Sequence, residues 1–327
     1  MSMAVTIERV SIPLHEPLVI TGHSFSHLNT VWVTLDRDGV IGRGEGTGSY
    51  YLGETQDTIA AALESIAPAL HSGLSRDELQ DLLPPGGARN AVDCALWDLE
   101  CKEAGETIWE RLGLSPRELT TVATIGVGDA QAMAAHAARW SSFPQLKIKL
   151  SGDSPVEKMR AIRRARPDAI LVVDANQGWS FAELQEYLPA LVEVDIAMIE
   201  QPLPRGGDDE LEGFDSPIPL GADESCLNLA ECDDAAAKYD VINIKLDKCG
   251  GLTEALAMVT AAQSAGKRLM VGNMTGSSLS MAPSFVVGQF CEFVDIDGPL
   301  LLEHDVENGL HYAPDGQVSP PTPVLWG

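Results

Sequence analysis

An α/β fold class, a modified (β/α)8 barrel of the TIM type joined to a separate α+β unit, is what this sequence predicts, on three observations. Over 116–300 the chain alternates short apolar, β-branched runs with helical segments, eight runs in all. The polar ends of those runs recur at Lys149, Asp174, Glu200, Asp223, Lys245, Asn273 and Asp295, with steps of 25, 26, 23, 22, 28 and 22 residues, about the length a βα unit needs. Residues 1–115 show strands and then helices without alternation, which sets them apart as their own unit.

In that first unit, residues 4–10 and 30–36 are apolar and β-branched, and Asp38-Gly39 before VIGRGEG reads as a tight hairpin turn. The stretch ITGHSFSHLNT between the first strands reads as a loop. Thr55 to Leu70 carries apolar residues at helical spacing, and Ala88 to Ala104 forms a second, stronger helix. The barrel runs are TVATIGV, QLKIKL, AILVVDAN, IAMIEQPL, PLGADES, VINIKLDKCGG, RLMVGNM and EFVDIDG, with helices expected at 155–166, 180–194, 228–238 and 252–265. Near-continuous apolar strands fit a parallel sheet covered by helices on its outer face. A doubly wound open sheet is the competing architecture, but no glycine-rich phosphate turn follows a first strand. Residues 301–327 are expected to pack back on the first unit as a C-terminal segment.

Charge narrows the classes of partner. Lys plus Arg total 22 and Asp plus Glu 48, a formal net charge of −26 with no basic run, which argues against nucleic acid and anionic membrane surfaces. No stretch approaches the roughly 20 apolar residues of a membrane span. Met1 to Val10 contains Glu8 and Arg9 and no signal-peptide core, and six scattered cysteines form no CxxC pair. Reduced thiols in a cytoplasmic protein are therefore expected.

In such a barrel the carboxyl ends of the strands share one mouth, so residues far apart in sequence converge there. Three consecutive strands end in a carboxylate: Asp174 in VVDANQGW, Glu200 in MIEQPL and Asp223 in GADES. Each alone reads equally well as a solvated loop residue. Three in one mouth would repel one another unless a cation sat among them, and hard oxygen ligands suit Mg²⁺ or Mn²⁺ rather than zinc. Lys147 and Lys149 fall on one face of KIK by period-2 alternation, and Lys245 lies in NIKL on the sixth run, across the ring from the second. A lysine buried beside a cation has a lowered pKa and can act as a general base, although pairing with a neighbouring carboxylate is the plainer reading of each.

KIK, DANQGW, IEQPL, ADES and NIKLDKCGGLTEAL, in this order and spacing, resemble the enolase superfamily in its muconate-lactonizing subgroup, over the whole chain. The resemblance implies that residues 1–115 form a capping domain over the barrel. It also implies Asp174, Glu200 and Asp223 as ligands of one Mg²⁺, with Mn²⁺ able to substitute, and Lys149 and Lys245 as acid/base lysines. Lys147 is implied as an auxiliary cation that lowers the pKa of Lys149. Within the subgroup, Asp295-x-Asp297 in VDIDGPLLL resembles the DxD motif with which dipeptide epimerases, of the L-Ala-D/L-Glu type, hold the substrate's ammonium. An ordinary acidic loop is the plainer reading of the pair.

The expected reaction is 1,1-proton transfer through an enediolate at the α-carbon of a dipeptide's C-terminal residue. N-acylamino acid racemase or o-succinylbenzoate synthase chemistry is the alternative, and a non-catalytic cation-binding barrel a more distant one. His23, in the loop over the substrate, and Asn273, at a strand end, complete the candidate substrate-binding residues. Acidic-dipeptide epimerases carry an arginine in that loop, and ITGHSFSHLNT has none. The expected partners are a dipeptide and further copies of this chain in a homo-oligomer, with no nucleic acid and no membrane.

Overall fold

The N-terminal unit is an antiparallel sheet of β1 (Ala4–Ile20), β2 (His23–Arg37) and β3 (Val40–Thr47), in that spatial order. This computed structural model describes residues 3–327. Asp38 (φ +54°) and Gly39 (φ +87°) make the two-residue turn between β2 and β3, both left-handed as a type I′ turn requires. Val31, Val33 and Leu35 project from the sheet into one core with Ile59 and Leu63 of α1 (Gln56–His71), Leu79 of α2 (Arg76–Leu82) and Val92 and Leu96 of α3 (Gly87–Ala104). Close packing of α3 needs the alternate glycines of GRGEG. A Cβ on Gly44 would lie 2.0 Å from the Ala91 carbonyl oxygen. A short α4 (Ile108–Leu112) and β4 (Leu119–Thr120) lead into the barrel.

Eight parallel strands follow in sequential order: β5 (Ala123–Ile125), β6 (Gln145–Lys149), β7 (Ile170–Asp174), β8 (Ile196–Glu200), β9 (Leu220–Ala222), β10 (Val241–Ile244), β11 (Arg268–Val271) and β12 (Phe293–Val294). Alternation sorts each strand. Leu146, Ile148, Leu171, Val173, Ile199, Ile242 and Leu269 join the core shared with the outer helices. Val172, Met198, Val241, Met270 and Phe293 instead meet one another as a separate apolar plug. The plug residues have Asp174, Glu200, Asn243, Gly272 and Asp295 two positions further on, so the polar groups stand one layer above an apolar floor.

The outer helices are α5 (Ala130–Arg139), α6 (Pro155–Ala165), α7 (Phe181–Glu193), α8 (Cys232–Lys238), α9 (Leu246–Cys249), α10 (Leu252–Ser264), α11 (Ser278–Gly288) and α12 (Gly298–Leu301). The regular βα repeat fails at one place. Between β8 and β9 only a single 3₁₀ turn, Asp209–Leu211, occurs. Pro202, Pro204, Pro217 and Pro219, with Gly206 and Gly207, deny that connection a helix.

Closure is also uneven. β12 meets the chain at the start of β5 through one backbone bond, from the N–H of Val122, the residue before β5, to Val294 O at 3.0 Å. Two side chains complete the seam: Thr124 N–H donates to Asp297 Oδ2 at 2.8 Å, and Ile296 N–H to Thr121 Oγ1 at 3.0 Å. Beyond the barrel, β13 (Gln317–Val318) pairs antiparallel with β4. Trp326 is buried against α3, its indole N–H donating to Cys94 O at 2.9 Å.

Candidate active site

Register brings Lys149, Asp174 and Glu200 level on β6, β7 and β8, and Glu200 is level with Gly221, two residues before Asp223. One carboxylate oxygen from each of Asp174, Glu200 and Asp223 lies within 4.8 Å of the others, and all three residues are buried. Lysines neutralise them. Lys149 Nζ donates to Asp174 Oδ2 at 2.6 Å, and Lys245 Nζ donates to Asp223 Oδ2 at 2.6 Å. Lys147 Nζ lies among Glu200 Oε2 (2.7 Å), Asp295 Oδ2 (2.8 Å) and Asp174 Oδ2 (3.2 Å). Its contact with Glu200 is off the line of a hydrogen bond, which leaves the buried Oε2 without a hydrogen-bond partner.

β6 and β10 stand four strands apart in a ring of eight, so Lys149 and Lys245 face each other across the mouth. Burial acts to lower the Lys245 pKa, but the Asp223, Glu200 and Asp174 carboxylates outweigh it and hold the ammonium above its ordinary value. Lys147 is raised in the same way, its burial opposed by Asp295, Glu200 and Asp174. Burial raises Asp174 but Lys149 and Lys147 pull it down to about 2, whereas burial and the Asp174 charge push Glu200 up to about 7.

Three hard oxygen donors around an orphaned carboxylate oxygen fit a divalent cation such as Mg²⁺. Further residues hold that set in place without having been singled out in the sequence. Gln201 Oε1 accepts from Asp223 N–H at 2.9 Å, and Asn243 Nδ2 donates to Glu200 Oε1 at 2.8 Å. The buried Lys248 ammonium reaches Asp223 O and Oδ1, Cys226 O and Asn243 O at 2.6–3.0 Å. Glu224 is buried at the cavity wall with Oε2 unpartnered, and burial with the Asp223 charge pushes it up to about 8.

Above the mouth is a cavity of about 540 Å³, lined from the barrel by Lys147, Lys149, Asp223, Lys245, Asp295 and Asp297. The first unit closes it with residues of β1, β2 and the segment around Tyr50 and Tyr51. Asp295 is engaged by Lys147 and by Asn273, whose Nδ2 donates to Asp295 Oδ1 at 3.1 Å. Asn273 lines the cavity, yet its carbonyl is also taken, by Thr275 N–H at 2.7 Å. Asp297 has Oδ2 on Thr124, and burial with the Asp295 charge raises it to about 7.

The placement of His23 is corrected. ITGHSFSHLNT is not a loop but the end of a long β1–β2 hairpin, and His23 begins β2 with its exposed ring edge-on to Tyr50 at 4.5 Å. His27, four residues on, is the histidine that lines the cavity.

Residues 130–323 match the model of the enolase C-terminal domain-like family, and residues 2–113 match the mandelate racemase / muconate lactonizing enzyme N-terminal domain. The chain is 41% identical to the L-Ala-D/L-Glu epimerase of Escherichia coli K12 over 303 residues, covering 92% of this chain and 94% of that one. It is 42% identical to an N-acetyl-D-glutamate racemase of Pseudoalteromonas over 250 residues, 76% of this chain and 79% of the other. Among solved structures, an enolase family member from Agrobacterium tumefaciens with homology to dipeptide epimerases, holding sodium and L-Ala-L-Glu, superposes with a TM-score of 0.95 at 40% identity, over 100% of this chain and 99% of that one. A dipeptide epimerase from Enterococcus faecalis V583, complexed with Mg and L-Leu-L-Tyr, gives a TM-score of 0.91 at 26% identity, over 98% and 97%.

Proposed function

The chain belongs to the enolase superfamily, with both its mandelate racemase / muconate lactonizing enzyme domains, and on that premise we propose that it is a divalent-cation-dependent dipeptide epimerase. The observation that carries this reading is the pair of lysines, Lys149 and Lys245, facing each other across a mouth that holds three buried carboxylates. A base on each side of one carbon is what inversion by proton removal and return requires.

Asp174, Glu200 and Asp223 would hold the cation. When bound, it supplies Lewis-acid stabilisation of charge building on the substrate carboxylate and offsets the anions that keep Lys245 protonated. One lysine takes the α-proton, and the other delivers a proton to the opposite face. Their roles exchange with the stereoisomer, so the reaction runs both ways. Lys147, tied to Asp174, Glu200 and Asp295, keeps the three anions at fixed separation. Asp295 and Asp297 stand on another part of the wall, where two carboxylates suit the ammonium of a free dipeptide.

The likeness to an N-acetyl-D-glutamate racemase favours a second reading, in which the substrate is N-acylated. That substrate lacks the cation which the Asp295–Asp297 pair would meet. Proton exchange in heavy water tests both readings. Free L,L-dipeptides should gain one mass unit and invert, chelation should abolish this, and the N-acetylated dipeptide should react at least tenfold more slowly. Lys149→Ala and Lys245→Ala should each lose epimerisation, although one of them can still exchange the proton of a single isomer. Full inversion by either variant refutes the two-lysine assignment, and faster reaction of N-acylated substrates moves the function to racemase.

A further inference from the structure

Beyond Asp223 the chain leaves the cavity and brings two thiols together. Cys226 and Cys232 are both buried, and their sulfurs stand 3.9 Å apart. Each sulfur also faces the Asn228 carbonyl, at 4.0 and 3.8 Å, so the turn between them folds one thiol against the other. That turn is braced by Asn228 Oδ1, which accepts from Ala230 N–H at 3.1 Å, and by Glu231 Oε2, which accepts from Leu227 N–H at 2.8 Å. Leu229, Ala230 and Asp233 are exposed around it, so the pair lies just beneath the surface. A sulfur–sulfur bond is about 2.05 Å long, and closing the pair takes roughly 2 Å of movement shared by two side chains.

Cys226 is also tied to the three buried carboxylates. Its N–H donates to Asp223 O at 3.1 Å, and its carbonyl accepts from Lys248 Nζ at 3.0 Å. The same ammonium donates to Asp223 O and Oδ1, at 2.6 and 2.8 Å. A shift of Cys226 therefore reaches Asp223 by two routes, directly and through Lys248.

We propose that Cys226 and Cys232 are a reversible oxidation site, at which a peroxide converts the two thiols to a disulfide. With Asp223 as a cation ligand, the reading proposed above, closing that bond also weakens the hold on the cation. Cys232, the less buried of the two, meets the peroxide first. Its thiolate attacks one peroxide oxygen, the O–O bond breaks, and a sulfenic acid and hydroxide result. The Cys226 sulfur then attacks the Cys232 sulfur, the S–S bond forms, and the sulfenic oxygen leaves as water. The two thiols lose two electrons and two protons, and the peroxide becomes two waters. A dithiol reverses the step by exchange.

The test treats the whole protein with hydrogen peroxide and counts free thiols after acid quenching and unfolding. The count should fall from six to four, a peptide map should join Cys226 to Cys232, and dithiothreitol should restore all six. Calorimetric titration should show Mg²⁺ binding about tenfold weaker in the oxidised protein, recovering on reduction. Cys232→Ser should bind Mg²⁺ as the reduced wild type does and keep that affinity after peroxide, and Cys226→Ala should likewise form no disulfide. Six thiols after treatment, a loss that dithiothreitol does not reverse, or a bond between other cysteines overturns the site. A Cys226–Cys232 disulfide with unchanged Mg²⁺ affinity overturns its link to the cation. Reduced protein that binds no Mg²⁺ overturns the cation reading and that link, and the thiol count still decides the oxidation site.

Discussion

One ammonium at Lys248 binds four oxygens, two of them on Asp223, one of the three carboxylates proposed to hold the cation. Residues that orient a metal ligand typically change affinity ten- to hundredfold when replaced. Lys248→Met keeps the aliphatic stem and removes the charge. It should weaken divalent-cation binding by about that factor, measured by calorimetric titration, and lower stability by about 3–5 kcal/mol, since a buried carboxylate loses a partner. The alternation that paired Lys147 with Lys149 also pairs Asn243 with Lys245, so the Glu200 contact was within reach of the sequence. Lys248 was not, because the period changes from 2 to 3.6 at Leu246, where α9 begins. Three residues then return the chain to the same side, and strand spacing no longer applies.

At the level of elements, the end of β11 shows how one strand makes room for another's chemistry. A Cβ on Gly272 would lie 2.7 Å from Lys245 Cε and 2.8 Å from Asn243 Oδ1. Gly272→Ala should push the Lys245 chain aside. A displacement near 1 Å can cost about a hundredfold in rate, so kcat should fall about ten- to hundredfold, and because Asn243 holds Glu200, cation affinity should weaken as well. The strands and helices that carry the site were largely legible, because apolar alternation and polar strand ends coincide on β6, β7, β8 and β10. The reach of the first hairpin was not. His15, Glu16 and Pro17 interrupt the apolar pattern, and the sheet resumes beyond an irregularity between Pro13 and Leu18 that only pairing with β2 reveals. With it went the placement of His23, and with it came the roof over the cavity.

At the scale of the whole molecule, the two units are fastened through α3. Asp247 Oδ1, at the start of α9, accepts from Thr47 N–H and Asn90 Nδ2, each at 2.8 Å. Nearby, Trp97 donates to Thr253 Oγ1 at 3.0 Å, and Arg89 donates to Gly250 O at 3.2 Å and ion-pairs with Glu254. Burial raises Asp247 from 3.8 to about 8, against the lowering effect of its two hydrogen bonds. Between those values the folded state keeps a proton that the unfolded chain releases, so this group's contribution to stability falls as pH rises. Asp247→Asn is neutral throughout and retains an acceptor for both donors. The melting temperature of the variant relative to wild type should therefore climb from pH 5 to pH 8, and a flat or falling difference would contradict the assignment. The existence of two units was legible from the change of pattern, but this fastening was not, since its donors and acceptors lie as much as 200 residues apart.

The barrel is latched between β12 and the residue before β5 by one main-chain bond, while β6 and β7 are zipped over five residue pairs. Mechanically it is a split ring, stiff along one arc and compliant at the gap. The compliant side carries Asp295 and Asp297, and the stiff arc carries Lys149, Asp174 and Glu200. On the proposed reading, the substrate's amino end meets the more loosely paired side of the ring, and Lys149, Asp174 and Glu200 stand on the fully paired side.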